Sequence, residues 1–360
     1  MSPTEFASVL AGTAAIGWII TSVIRTAVLP SPERVWLTML SFDVARKVSR
    51  WVVTKFDSTR SRRLLGAFAP TVLLTLPLVW SIGLIGAFAA IYWGITDLTV
   101  SQSIELSGSS LTTLGIADTP EFPISVLVII EALLGLSILA LMVGFLPTLY
   151  TTFSRREVAV GRLTIRAGSP PRPAAFFERL HLIGGLDQME DLWEAWEEWF
   201  VELGETHTTF PPLVYFRSSD PERNWLTAAE TALDAAAIAR AAKLTVAQGQ
   251  ADTMIRAGYI ALRAIADFYG IEPEAEPSAL HQLSVKRSQF DYILDDIERC
   301  GIEIGPDRNE LWSDFAGWRI NYDVSITALS DLVGFVPTHW HHPPKPGNQS
   351  GNNTKGEHGD

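Results

Sequence analysis

Three stretches of the chain stay apolar for longer than a buried helix in a soluble protein needs. The first runs from Phe6 to about Leu29, carries no charge up to Ile24, and ends at Arg25 and Pro30. The second lies within the 33 uncharged residues from Leu64 to Thr96, with Ala67 to Ile95 its most apolar part. The third, Pro123 to Phe153, holds one charge, Glu131, and the 23 residues before Arg155 hold none. A helix needs about 20 apolar residues to cross ~30 Å of hydrocarbon. The pattern therefore predicts an all-α membrane protein with spans in 1–30, 67–95 and 123–153. No basic residue precedes the first span and no clear small-residue cleavage site follows it, so it reads as a retained helix rather than a leader.

Beyond the third span the period changes. Residues 154–173 read as a linker ending in the Pro-rich joint Ser169-Pro170-Pro171-Arg172-Pro173. In 187–205, Leu192, Trp196, Trp199, Phe200 and Leu203 fall on one helical face, opposite Glu190, Glu194, Glu197 and Glu198. An Ala-rich helix is expected from near Pro221 to Lys243, with others at 246–269, 278–300 and 308–332. No alternating strand pattern of any length is present. Residues 174–337 thus predict a bundle of about five helices, and the Pro, Gly, Asn and His-rich stretch 338–360 predicts disorder. Between the first two spans, residues 31–66 form a basic linker. Val35 to Phe56 mixes Trp36, Leu40, Phe42 and Trp51 with Arg46, Lys47, Arg50 and Lys55, which suits a helix lying on the inner membrane surface. A short cytosolic helix packed on the membrane part is the alternative.

Charge then sets the orientation. Residues 30–68 carry eight Lys/Arg against three acids, and Arg155, Arg156, Arg162, Arg166 and Arg172 follow the third span. Residues 96–122 carry Asp97, Glu105, Asp118 and Glu121 and no basic residue. Positive loops mark the cytoplasmic side, which predicts a multi-pass plasma-membrane protein with its N-terminus outside and its C-terminal domain in the cytoplasm. Residues 174–343 hold 12 Lys/Arg and 28 Asp/Glu, so most of the net charge of −12 belongs to that domain and a nucleic-acid partner is not expected. The single cysteine, Cys300, excludes an intrachain disulfide.

The loop between the second and third spans carries the chemistry. A short polar stretch, Val100 to Thr112, leads into Thr113-Leu114-Gly115-Ile116-Ala117-Asp118. Non-helical backbone at membrane depth survives only when buried in protein or lining a watery cavity. The run Ser107 to Asp118 resembles the pore-helix end and selectivity filter of potassium-channel subunits, whose filter reads Thr-Val-Gly-Tyr-Gly-Asp. The third span, with Ile130-Glu131-Ala132-Leu133-Leu134-Gly135 and the exit Tyr150 to Glu157, resembles the inner helix of bacterial two-span channels. The resemblance implies a pore domain at 67–153, with an outer helix 67–95, a pore helix and filter 98–120, and an inner helix 123–153. It implies a filter of Thr112, Thr113, Leu114, Gly115, Ile116, Ala117 and Asp118, with the carbonyls of Thr113, Leu114 and Gly115 and the Thr113 hydroxyl as inner cation sites. Asp118 and Glu121 would concentrate cations at the mouth.

Two positions depart from the family pattern. Ile116 replaces an aromatic whose hydroxyl braces the filter, and Ala117 replaces a glycine, where a left-handed backbone would cost ~1–2 kcal/mol. The upper filter is therefore expected either to take a different shape or to lose its outer sites, relaxing potassium selectivity. Gly135 and Pro147 are the candidate gate hinges, with close helix packing the alternative for Gly135. Glu131, an ionisable group inside a span, is expected to support the filter by bonding the pore helix, with Ser109 or Ser110 as partners, or else to line the cavity. One chain supplies one filter strand, so four copies are required and a homotetramer in the bilayer follows.

No nucleotide-binding glycine motif, cyclic-nucleotide pocket or voltage-sensor arginine series is visible, so the gating ligand stays unnamed. No catalytic spacing argues for an enzyme, and no cofactor is implied beyond the permeant potassium or other monovalent cation. Asp291, Asp295, Asp296 and Glu298 read as an exposed helix face, His339, His341 and His342 as a chance cluster, and Trp193, Trp196 and Trp199 as core or subunit interface. The expectation is a potassium-channel-like cation channel. A non-conducting scaffold or sensor acting through its helical domain is the rival.

Overall fold

The computed structural model describes residues 2–27, 58–118, 120–218, 220, 222–244, 247–271 and 283–334. Every regular element in them is helical. The expected surface helix, Val35 to Phe56, the His339 cluster and the 338–360 tail lie outside the described residues.

Three helices are long and apolar enough to cross a membrane: α1 (Pro3–Ala27), α2 (Ser58–Ile95) and α4 (Ile124–Ala167). The short α3 (Val100–Leu111) lies between α2 and α4. Helices α1 and α2 run antiparallel, since Glu5 lies beside Gly94, Gly12 beside Ala87, and Ile19 beside Gly83. Lipid tails give apolar helices no reason to associate, so close backbone approach at small residues must do it. A Cβ placed on Gly12 would sit 2.5 Å from the Ala87 carbonyl oxygen, and one on Gly94 would sit 2.7 Å from that of Glu5. These glycines set the spacing of the pair.

The third apolar run does not stop at Phe153. Helix α4 has 44 residues, or about 66 Å at 1.5 Å per residue, roughly twice a hydrocarbon core. Most of the stretch expected as a linker is therefore rigid helix, ending where Gly168 adopts φ +89° ahead of the Pro-rich joint.

Among the described residues, seven helices make up the C-terminal bundle: α5 (Pro173–Leu182), α6 (Met189–Thr209), α7 (Trp225–Ala241), α8 (Gln248–Phe268), α9 (Arg287–Arg299), α10 (Arg308–Arg319) and α11 (Asp323–Val333). Helix α5 was not expected, although Pro173 suits a first helical position. The single helix expected over 308–332 is two, parted at Ile320–Tyr322. Helix α7 is buried on all sides except at Arg240, and its alanines let its neighbours close on it. The Trp193, Trp196 and Trp199 series is core, with Phe176 ring centroids 5.9 Å from Trp193 and 5.4 Å from Trp196.

Two apolar cores result, one in the bundle and one among α1 to α4. The second also takes in Leu213 and Phe216. They belong to the segment after α6, a 3-10 turn at Pro211–Tyr215 and the residue that follows it.

Candidate functional site

Helix α3 starts with a capping box: Thr99 and Gln102 satisfy each other's backbone N–H groups at 3.4 and 2.9 Å. Its serines then tie it to both neighbours. Ser107 Oγ lies 3.0 Å from the Ile85 carbonyl of α2, and Ser110 donates to the Val128 carbonyl of α4 at 2.7 Å. Ser103, Ser107, Ser109 and Ser110 are all buried.

Past Leu111 the chain doubles back along the end of α3. Thr113 N–H donates to the Ser110 carbonyl at 2.9 Å, and Leu114 N–H to the Ser109 carbonyl at 3.0 Å. Farther along, the Ser109 hydroxyl oxygen accepts from the N–H groups of Ile116 at 2.8 Å and Ala117 at 3.1 Å. One serine thus holds three amides of the return segment through its carbonyl and its hydroxyl. In a trans peptide the C=O points opposite the N–H. The carbonyls of Thr113, Gly115 and Ile116 are therefore turned away from the Ser109 groups that hold the amides. In the single chain Leu114 is 66% and Ile116 69% exposed, and Thr112, Thr113, Gly115 and Asp118 are exposed too.

The expected strain at Ala117 is absent. Positive φ falls instead at Thr113 (+58°) and Gly115 (+67°), and Ala117 is not in the left-handed region. The conformational cost within the segment sits on Thr113. A β-branched residue held there costs roughly 1–3 kcal/mol and persists only where its surroundings fix it. The Ser109 and Ser110 carbonyls do so.

Glu131 of α4 is fully buried behind this segment. It accepts from the Tyr92 hydroxyl at 2.9 Å and from the Ser107 hydroxyl. Of the two partners expected, Ser110 also interacts with this carboxyl while donating to Val128, and Ser109 is taken by the return segment. A buried carboxyl in apolar surroundings is tolerated only with such donors, and here it joins α2, α3 and α4 at one point. Gly135, one turn further along α4, is where that helix touches the end of α3. A Cβ there would lie 2.0 Å from the Leu111 carbonyl oxygen. Close approach is thus what this glycine serves in the structure. Pro147 lies 12 residues further on, about 18 Å along the helix axis.

At the junction with the bundle, Arg156 is buried and donates to the Leu213 carbonyl at 2.8 Å and the Phe216 carbonyl at 2.7 Å. Its Nη1 also lies 3.2 Å from His207 Nε2. Burial and the neighbouring Arg156 guanidinium hold the His207 imidazole well below its ordinary pKa. A groove of about 410 Å³ opens beside this junction, between Tyr150, Arg155 and Arg162 of α4 and Glu198, Trp199 and Glu202 of α6.

The carboxylates at 291–298 take arginines: Asp291 pairs with Arg287, Asp295 and Glu298 with Arg308, and Asp296 with Arg299. The larger charge network was not foreseen. Arg319, only 1% exposed, binds Asp234, Glu230 and Asp323 at 2.6 to 2.9 Å, and Tyr322 donates to Asp234 at 2.8 Å. Burial alone would discharge the guanidinium, but the three carboxylates hold its pKa well above the ordinary value.

No protein-family profile, characterised protein or solved structure matches the chain.

Proposed function

We propose that this chain is one subunit of a homotetrameric, potassium-channel-like cation channel in the plasma membrane, with the return segment Thr112–Asp118 as its filter. The observation that carries the proposal is the clamp made by Ser109. It holds three amides of the segment against α3 and so directs the carbonyls of Thr113, Gly115 and Ile116 away from those contacts. Rings of backbone carbonyls are what replaces the water shell of a dehydrating cation. Four copies around an axis would close such rings and cover Leu114 and Ile116, which one chain leaves exposed.

Three further features support this reading. The C-terminal end of α3 adjoins the segment, and a helix C-terminus carries a partial negative charge of about half an electron. Exposed Asp118 and Glu121 stand on the approach. The Glu131–Tyr92–Ser107 cluster fixes α3, the helix that carries the segment, to α2 and α4. In this reading the N-terminus and the acidic loop face outward, the bundle lies in the cytoplasm, and the protein performs no chemical step. Conduction is passive, and α4 forms the gate below the filter.

Cation flux through the purified protein in liposomes tests the proposal, with potassium compared against sodium and Gly115→Asp as the control. The expected result is flux that Gly115→Asp abolishes, with potassium favoured less strongly than a filter containing both glycines would allow. Flux that persists undiminished in Gly115→Asp excludes Thr112–Asp118 as the filter. Absence of flux in the wild-type chain and in variants with a loosened α4 would favour the scaffold reading.

A further inference from the structure

We infer that Phe210–Phe216 is a strap that fixes the course of α4 across Pro147 and ties that helix to the bundle. The inference starts from the helix itself. Proline has no N–H, so the Val143 carbonyl of α4 lacks its ordinary intrahelical partner, and the proline ring crowds the preceding turn. Helices bend at such points. In this structure the same seven-residue segment touches α4 on both sides of that weak point. The Phe210 ring lies 5.9 Å from Phe145, two residues before Pro147. The Phe216 ring lies 5.5 Å from Phe153, six residues after it.

Polar contacts lock the lower grip. Arg156 donates to the carbonyls of Leu213 and Phe216 at 2.8 and 2.7 Å, and its guanidinium stands 5.2 Å from the Phe153 ring centroid. Leu213 and Phe216 are themselves buried in the apolar core among α1 to α4, with Ile138, Met142 and Leu149. A bend at Pro147 changes the position of Phe145 relative to Phe153 and Arg156, so it must break one of these grips or carry the strap with it.

The strap is equally fixed on its far side. Tyr269, at the end of α8, donates its hydroxyl to the Pro211 carbonyl at 2.5 Å. Trp225, at the start of α7, donates its indole N–H to the Val214 carbonyl at 3.3 Å. A displacement of α7 or α8 therefore reaches α4 through backbone carbonyls of one short turn. The device is a two-sided clamp, with bundle helices below and the Pro147 turn above. Its consequence for conduction rests on the channel reading, whereas the clamp on α4 does not.

Hydrogen exchange of the full chain in lipid nanodiscs tests the clamp directly. Phe216→Leu weakens the lower grip, and Tyr269→Phe removes one far-side bond, at a residue with no hydrogen bond to α4. Amides of residues 144–156 should exchange roughly tenfold faster in Phe216→Leu and about threefold faster in Tyr269→Phe, while those of 124–138 stay unchanged. Elution volume and melting temperature confirm that each variant is folded. Arg156→Gln adds a third variant, and the two milder ones carry the test if it fails to fold. Unchanged exchange over 144–156 in folded Phe216→Leu and Tyr269→Phe overturns the inference. An increase spread evenly over all of α4 also overturns it, because it signals general loosening. Flux measured in parallel separates the two proposals. Faster exchange with raised flux supports both, and faster exchange with no flux in any variant keeps the clamp and removes the channel.

Discussion

Gly135 shows how much a single residue type decides in this molecule. A β-carbon there meets a backbone carbonyl at 2.0 Å, not the flexible end of a side chain, so α4 would have to move away from α3. Overpacking of that kind costs about 1–3 kcal/mol and sometimes more. Gly144, on the same helix, has open space where its β-carbon would lie, and alanine there should improve helix propensity by up to ~1 kcal/mol. Melting of the two purified variants should therefore move in opposite directions, down for Gly135→Ala and level or up for Gly144→Ala. A Gly135→Ala variant as stable as the parent would return this glycine to a purely hinging role. The sequence made Gly135 and Glu131 candidates because each is unusual inside an apolar span. It could not choose between hinge and packing, or name Ser107 and Tyr92 as the partners of Glu131, because those contacts bridge 24 and 39 residues. A readable hint existed. A tyrosine within an apolar span must place its hydroxyl somewhere, and the carboxyl on a facing span is the natural acceptor.

Among the elements, long apolar runs were legible from composition alone, since hydrophobic length has one physical meaning in a bilayer. Boundaries outside lipid were harder. Nothing in Arg155 to Ala167 favours helix by hydropathy, yet α4 continues because its buried side, Val160, Leu163 and Ala167, packs into the bundle. The break between α10 and α11 contains neither Gly nor Pro, and tertiary contacts set it. Chief among these is the Arg319 network, in which α7, α10 and α11 meet through five side chains. Removing one partner of a buried ion network typically costs about 3–5 kcal/mol, because the remaining charges stay uncompensated. Arg319→Met should thus lower the bundle's melting temperature by roughly 10 °C, read by circular dichroism. Cutting the part-exposed Arg287–Asp291 pair (side chains 33% and 34% exposed) with Asp291→Ala should cost less than ~1 kcal/mol. Equal losses would mean that the network contributes no more than a surface pair.

For the whole molecule, the decisive contact is the one joining its two halves, and His207 sits in it. Its Nδ1 lies 2.9 Å from the Leu203 carbonyl, so that nitrogen donates, and Nε2 is left to accept from Arg156 at 3.2 Å. This arrangement requires a neutral ring. A proton on Nε2 would set an N–H against a guanidinium in a buried site, which agrees with a pKa held well below the ordinary 6.5 by burial first and Arg156 second. In the unfolded chain the imidazole takes up its proton near pH 6.5. Below that pH the unfolded state binds one proton more than the folded state, so stability falls as pH falls. The slope is at most about 1.4 kcal/mol per pH unit for one group. Above about pH 7 both states are neutral and the dependence vanishes. Melting temperature should then be flat from pH 8 to 7 and drop by roughly 3–6 °C per unit below 6.5. His207→Gln, which keeps a donor and an acceptor but no titration, should remove most of that drop. Parallel curves for the two proteins would assign the acid sensitivity to other groups. A drop confined to the wild type would place it at the Arg156 junction, where loss of the native contact also frees the strap from α4.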